Sequence, residues 1–419
     1  MNIRRFILTA IILPFLFSAC AGHRDGSPDI LPYVGTVISD TTSWSNHVLR
    51  DYEVDRNGTI ALMGASRNCA LLTEYLLTCD VFDNVDGSLK SDGLPDFAGE
   101  TFAPLFDEAN PPYADYVTAE NESFLREIAV KNAISCIAPI CHSTPYDKEM
   151  TQEKAPAKVI LLSSSILSGY GCSDIDTLFA SFGKDIPVVA PVKALADLAI
   201  KRHGKDAAIG IWADSHILAS GVYGLEFHKI ADKGQPIEYA GFSPSGDKSV
   251  RDGFIHFLKM YQASGFEKPM SVLLLDDIAM APNSLKIKQV ADSLLLLPKS
   301  DSLSVLQSSI ARDFEVIDVK TAVASGCFDI MRRKNFFTHN VSYPSVKGYT
   351  VIPNVELIGT SKMTDKGRFT DEFRVGRADD SNFETTVFVE LSHRYLSEET
   401  LQFLESRTPN LYNSSVYVH

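Results

Sequence analysis

Residues 209–223 read IGIWADSHILASGVY, and the reading of this stretch decides the fold class. The segment 207–212 is an apolar run with no polar interruption, the pattern of a strand covered on both faces in a parallel sheet. It stops at Asp214-Ser215-His216, three polar residues at the C-terminal end of that strand. Working outward, the same unit recurs. Residues 59–64 (TIALMG) read as a strand and 69–77 as a helix. Residues 158–163 (KVILLS) are a buried strand, and 174–182 suit a helix with Ile175, Leu178, Phe179 and Phe182 on one face and Ser173 or Asp174 as its cap. A strand at 186–190 and a helix at 194–203 lead into the opening stretch. Beyond it come helix 250–263, strand 271–275, a helix near 287–295, strand 314–318 and helix 322–331. Strands alternating with helices at this spacing imply parallel sheets covered by helices, the α/β class.

The ends of the chain differ in character. Residues 342–392 are richer in Gly, Pro and Thr and include the alternating run TTVFVEL at 385–391, which predicts a small antiparallel appendage. A last helix is expected from Ser397, with Glu398 and Glu399 favourable in its first turn. The acidic stretch 92–108 has three readings, a cleft lid, a helix start or a solvated face, of which the last is commonest for such runs. At the N-terminus two arginines precede an apolar run at 6–17, too short for the roughly 20 residues that span a bilayer. It reads as a signal peptide over 1–19. Leu16-Phe17-Ser18-Ala19-Cys20 resembles a bacterial lipobox, with Phe17 where leucine is usual. Cleavage before Cys20 and lipid on that cysteine are expected, with 20–49 as a tether, small or polar over 21–28. The alternative is an ordinary secretory peptide followed by a chance cysteine. The expected place is the bacterial cell envelope, at the outer membrane, with the lipid as the only membrane contact.

Composition limits the partners. The chain carries 53 acidic and 39 basic residues, a formal net charge of −14, and is 45% hydrophobic. No basic block follows the signal segment, so nucleic acid is excluded as a partner, since phosphate binding needs a basic footprint. Cys69, Cys79, Cys136, Cys141, Cys172 and Cys327 remain after Cys20. An oxidising envelope would permit pairing of Cys136 with Cys141 or Cys69 with Cys79, while burial as small hydrophobes is the plainer reading. No CxxC occurs, and neither a metal nor a cofactor is expected.

Four strand ends, taken in order, resemble the cofactor-independent aspartate/glutamate racemase family. Residues 209–223 look like the family's strand and turn ending in Ser-Gly-x-Tyr, here Ser220-Gly221-Val222-Tyr223. KVILLSSS at 158–165 and DIPVVAP at 185–191 are similar to the strand bearing the first catalytic cysteine and the strand after it. SVLLLDDIAMAP at 271–282 resembles the strand bearing the second, and EVIDVKTAVA at 315–324 the return to the first domain. The resemblance covers residues 155–330. It implies two doubly wound domains facing a central cleft, one of residues 50–192 with 316–341 and one of 193–315, with 342–419 as a C-terminal extension. Nearer the N-terminus, VFDNVDGSL at 81–89 is similar to the family's first strand and aspartate-bearing loop, which would put Asp83 in the site. IALMGASRN at 60–68 is the rival for that place.

The resemblance also implies a departure in chemistry. Such racemases use two thiols, one on each face of the substrate carbon, because a thiolate is within reach near neutral pH. Here the first position is Ser163 and the second Asp277, or Asp276 if the register slips by one. A serine hydroxyl is a weak base without a partner. Two-thiol racemisation is therefore expected to be absent. Cys172, in the loop expected after Ser163, Ser164 and Ser165, is the nearest substitute thiol. The candidate ligand-binding or catalytic residues are Asp83, Ser163, Ser164, Ser165, Asp214, Ser215, His216, Asp276 and Asp277. The first function expected is a lipoprotein cleft for a small polar or carboxylate ligand. The alternatives are an active isomerase or lyase on amino or dicarboxylic acids and a periplasmic type I solute-binding lipoprotein, to which VRDGFIHFLKMY at 250–261 could belong.

Overall fold

A computed structural model of the chain describes residues 30–231, 236–243, 249–338, 340, 342–378 and 384–415; the signal segment and Cys20 lie outside them. The described chain opens with two short helices, α1 (Pro32–Ser39) and α2 (Trp44–Asp51). Ser43 caps α2 by accepting the Asn46 N–H at 3.3 Å. Val34 and Val37 of α1 and Val48 and Leu49 of α2 are buried together in one core cluster. The tether expected over 20–49 is therefore corrected from residue 32 onward. Apolar residues at helical spacing give this segment a face to bury, and it folds onto the body.

The first lobe follows. β1 (Thr59–Ala65) leads into α3 (Ser66–Thr78), then β2 (Thr101–Asp107), a short α4 (Ala114–Thr118) and a long α5 (Glu122–Ile137). A two-residue ladder of β3 (Ile140–Cys141) with β4 (Gln152–Glu153) precedes β5 (Ala157–Leu162), α6 (Ser165–Ser181) and β6 (Val188–Val189). β2, β1, β5 and β6 lie side by side in that order, all parallel. Alternate residues of β1 enter different cores: Ile60 and Leu62 pack in the cluster that holds α3, Ala61 and Met63 in the one that holds α5 and α6. That period of two, with both faces covered, is why the run is apolar throughout.

α7 (Pro191–His203) carries the chain to the second lobe. There β7 (Ile209–Ala213), α8 (Ser215–Ala219), α9 (Val222–Ala231), β8 (Tyr239–Phe242), α10 (Val250–Ala263), β9 (Met270–Asp276), α11 (Ser284–Leu295) and β10 (Ile310–Asp318) build a second parallel sheet, ordered β10-β9-β7-β8. Residues 158–163 and 271–275 thus stand in different sheets. α12 (Val319–Arg333) returns to the first lobe, its N-terminus capped by Asp318, which accepts the N–H groups of Lys320 and Thr321 at 3.1 Å each. Gly326 lets α12 close on its neighbours: a Cβ there would sit 3.2 Å from Val189. One core cluster then holds side chains of both sheets, among them Leu161, Leu274, Leu195 of α7 and Val323 of α12.

The C-terminal segment is built onto the first lobe. β11 (Ser345–Val346) and β12 (Tyr349–Pro353) pair parallel with β2; α13 (Asp371–Gly376) follows, and β13 (Thr386–Glu390) pairs antiparallel with β12. The expected antiparallel pairing is present, but it extends the first sheet and is not a separate appendage. α14 (Glu398–Arg407), capped by Ser397, and α15 (Pro409–Ser415) dock on α3, where Glu74 accepts the Asn410 and Leu411 N–H groups at 3.2 and 2.8 Å. At the N-terminal ends of β5 and β2, Lys158 and Glu100, both fully buried, form an ion pair of 2.7 Å, and Lys158 also donates to the Phe336 carbonyl at 2.8 Å.

Other expectations need correction. The acidic stretch 92–108 is not a solvated face in its second half: it becomes β2, whose Phe102 and Phe106 are wholly buried. α6 starts at Ser165, nine residues ahead of the helix read from its apolar spacing, with Ser164 as cap. Ser173 and Asp174 lie inside it, and Asp174 accepts two hydrogen bonds from Arg126, at 2.7 and 2.8 Å. α5 escaped the sequence reading because it is buried nearly all round and so has no clean polar face. The six described cysteines are free thiols, five of them buried, and neither pair considered for a disulfide is bonded. No helix among the described residues is long and apolar enough to cross a membrane.

Candidate functional site

Parallel strands in each lobe deliver their C-terminal ends to the seam between the lobes, the usual place for a site in open α/β sheets. On the first side stands the serine triplet after β5. Ser163 is buried and donates to the Met63 carbonyl at 3.1 Å. That approach needs Gly64: its φ is +147°, and a Cβ there would lie 2.4 Å from the Ser163 hydroxyl. Ser164 caps α6 by accepting the Leu167 N–H at 3.3 Å. Ser165, the first residue of α6, points across the seam and donates its hydroxyl to Asp276 Oδ1.

Asp276 ends β9 on the second side and is only 8% exposed. Its other oxygen, Oδ2, accepts the Tyr223 hydroxyl of α9 at 2.8 Å. The carboxylate is thus held by one donor from each lobe, and among the described residues it is in no ion pair. Burial pushes its pKa up to about 6; the bonds from Ser165 and Tyr223 pull down, and the nearby Asp277 and Asp214 push up again. Burial also holds the Tyr223 phenol well above its usual range, so it stays a donor at neutral pH.

A second contact crosses the seam at its rim. Asp214 caps α8 by accepting the His216 N–H at 2.8 Å, and the same oxygen lies 2.9 Å from His216 Nδ1. In the neutral ring Nδ1–H then donates to the carboxylate, which leaves Nε2 to accept from Thr118 of α4, 3.2 Å away. Ser215 opens α8 and is exposed.

The structure gathers Ser163, Ser164, Ser165, Asp214, Ser215, His216 and Asp276 at these strand ends. It separates the others. Asp277 is exposed and turned into its own loop, where Oδ1 accepts the Ala279 and Met280 N–H groups at 2.9 and 3.2 Å, while its neighbour Asp276 is the aspartate that faces the seam. Asp83 is corrected outright: residues 81–89 form a loop, the first strand is β1, and this loop joins the end of α3 to the start of β2, at the N-terminal ends of the strands and away from the seam. Its carboxylate closes a local turn on the Val85 and Asp86 N–H groups. Cys172 is also corrected: it lies inside α6, and burial pushes its thiol up to about 12. Cys20 lies outside the described residues.

Tyr223 and Thr118 were missed as site residues. Tyr223 had a signal, the Ser-Gly-x-Tyr turn, whereas Thr118 sits in a five-residue helix with none. Among the described residues no group of three or more His, Cys, Asp or Glu is arranged to hold a metal. The arrangement can exchange a hydroxyl at Asp276 for an ammonium or hydroxyl of a ligand. The first turn of the 17-residue α6 can receive an anionic group beside it.

No family model and no curated protein matches the sequence. In structure the chain is similar to a glutamate racemase from Francisella tularensis in complex with D-glutamate (15% identity, 77% of this chain and 95% of that one, TM-score 0.44). It is also similar to a glutamate racemase from Bacillus anthracis (12%, 71% and 89%, TM-score 0.42) and to an aspartate racemase homologue from Pyrococcus horikoshii (8%, 66% and 99%, TM-score 0.34).

Proposed function

We propose that this chain is a lipid-anchored protein of the bacterial outer membrane whose inter-lobe cleft binds a small polar or carboxylate ligand without racemising it. The observation that carries the reading is the double hold on Asp276, from Ser165 in one lobe and Tyr223 in the other. A ligand ammonium or hydroxyl takes the place of the Ser165 hydroxyl on this carboxylate, a charge-assisted bond. The start of α6 receives the ligand's anionic end. Racemisation needs matched proton carriers on both faces of a carbon, and the two positions that would bear thiols are Ser163, committed to the Met63 carbonyl, and Asp276. Asp276 alone, titrating near 6, is a single carrier.

The test is to incubate purified residues 21–419 with L- and D-glutamate and aspartate in heavy water and to titrate the same compounds by calorimetry. Saturable binding that Asp276→Asn weakens, with no protein-dependent exchange at the α-carbon, supports the proposal. Exchange abolished by Asp276→Asn would establish a one-base isomerase in its place.

A further inference from the structure

A concavity of about 700 Å³, away from the inter-lobe seam, opens on the first lobe at the sheet edge away from β5. It is made largely of segments added around the strand–helix repeats: α1, the start of α2, the loop 142–150 and the β12–β13 pair, closed on one side by α5. The volume falls within the roughly 300–1,000 Å³ typical of small-molecule sites. Its aromatic walls are Tyr33, Trp44, Tyr146 and Phe388, with Tyr146 itself 77% exposed. Among the described residues Asp40, Asp147, Glu149, Glu356 and Glu384 line it against two cations, Lys131 and Lys148.

Lys131 is already neutralised. Its ammonium lies 2.8 Å from Glu127 and 3.6 Å from Glu384, and 4.9 Å from the centre of the Tyr33 ring. This wall therefore already seats an ammonium between carboxylates and an aromatic face, the arrangement that recognises organic cations. Asp40 and Asp147 accept backbone N–H groups of Thr42 and Thr144, at 3.0 and 2.7 Å. Glu149 and Glu356 are in no ion pair among the described residues and face the groove as uncompensated charge.

We infer that this groove is a binding site, separate from the inter-lobe cleft, for a small organic cation: a primary amine or guanidine carrying an aromatic or apolar body. The aromatic walls take the body, and the carboxylates at the rim take the charge. Such a group is supplied equally by a free amine or by the side chain of a short basic peptide.

Trp44 provides the reading, since the only other tryptophan, Trp212, is buried in the second lobe. Phenethylamine and the dipeptide amide Phe-Arg-NH2 are titrated against Trp44 emission, with 3-phenylpropionate as a control of like shape and opposite charge. Saturable change with phenethylamine alone assigns a free amine, and tighter binding of the dipeptide assigns a peptide. The double variant Glu149→Gln/Glu356→Gln, exposed positions whose loss leaves folding intact, is expected to weaken either cation about fivefold, and Asp276→Asn to leave it unchanged. Equal binding of phenylpropionate, no saturable change with either cation, or an unaltered double variant would each overturn the assignment.

Discussion

Ser165 and Asp276 join the two lobes through one hydrogen bond, hydroxyl to carboxylate, at the point where β5 and β9 run out. The bond is possible because α6 begins on the last serine of the triplet and β9 ends on the aspartate. One bond between the lobes thus bears directly on the ionisation of a single buried group.

Removing the donor is the first test of this coupling. Ser165→Ala leaves Asp276 with Tyr223 alone, so the charged form loses support and the carboxyl pKa should move above its present value of about 6. Stability near pH 7 should fall by about 1–3 kcal/mol, the range for a hydrogen bond to a charged group. Urea denaturation reads the loss, and faster hydrogen exchange in the first turn of α6 locates it. Unchanged exchange there would show that the bond does not hold the seam.

The acidity of Asp276 sets a pH dependence. Its folded pKa, about 6, lies above its ordinary 3.8, so between these values the native state binds more protons than the unfolded chain. Stability from this group is then fully present below the unfolded value and declines as pH rises through 6, by roughly 3 kcal/mol in all. Asp276→Asn removes the titration. The difference in urea midpoint between wild type and variant should shift in the variant's favour from pH 4.5 to pH 7, and a flat difference would contradict the raised pKa.

Lys158 and Glu100 make a purely structural prediction. Lys158→Met strands a buried carboxylate and should cost about 3–5 kcal/mol, because the charge loses its partner without regaining water. Adding Glu100→Leu should recover most of that loss. Thermal unfolding of the two variants distinguishes a pair needed for its attraction from one needed only for mutual neutralisation.

The proposed lipid anchor rests on Cys20. Cys20→Ala should abolish palmitate labelling and leave a soluble or uncleaved precursor, read by labelling and by the size of the product. Labelling that persists in the variant would refute the lipoprotein reading.

How much of this was legible beforehand varied with the physics involved. β1, β5, β7 and β9 were readable because a strand covered on both faces is apolar at every position, and α14 because a serine followed by two glutamates marks its start. Tyr223 stood in a recognisable turn, but its partner could not be named, because a tyrosine and an aspartate 53 positions apart carry no mark of contact.

By itself the sequence determined the α/β class and the strands that end in polar residues. These are local properties of composition and period, and they follow from burial alone. Only the tertiary structure decided that Asp276 and not Asp277 faces the seam, since alternation along β9 is settled by which face the sheet buries. Only it removed Asp83 to the N-terminal ends of the strands, because a loop's position depends on the direction of the helix before it. And only it folded α1, β12 and β13 onto the first sheet, where segments more than 300 residues apart share one wall through contacts that no local pattern encodes.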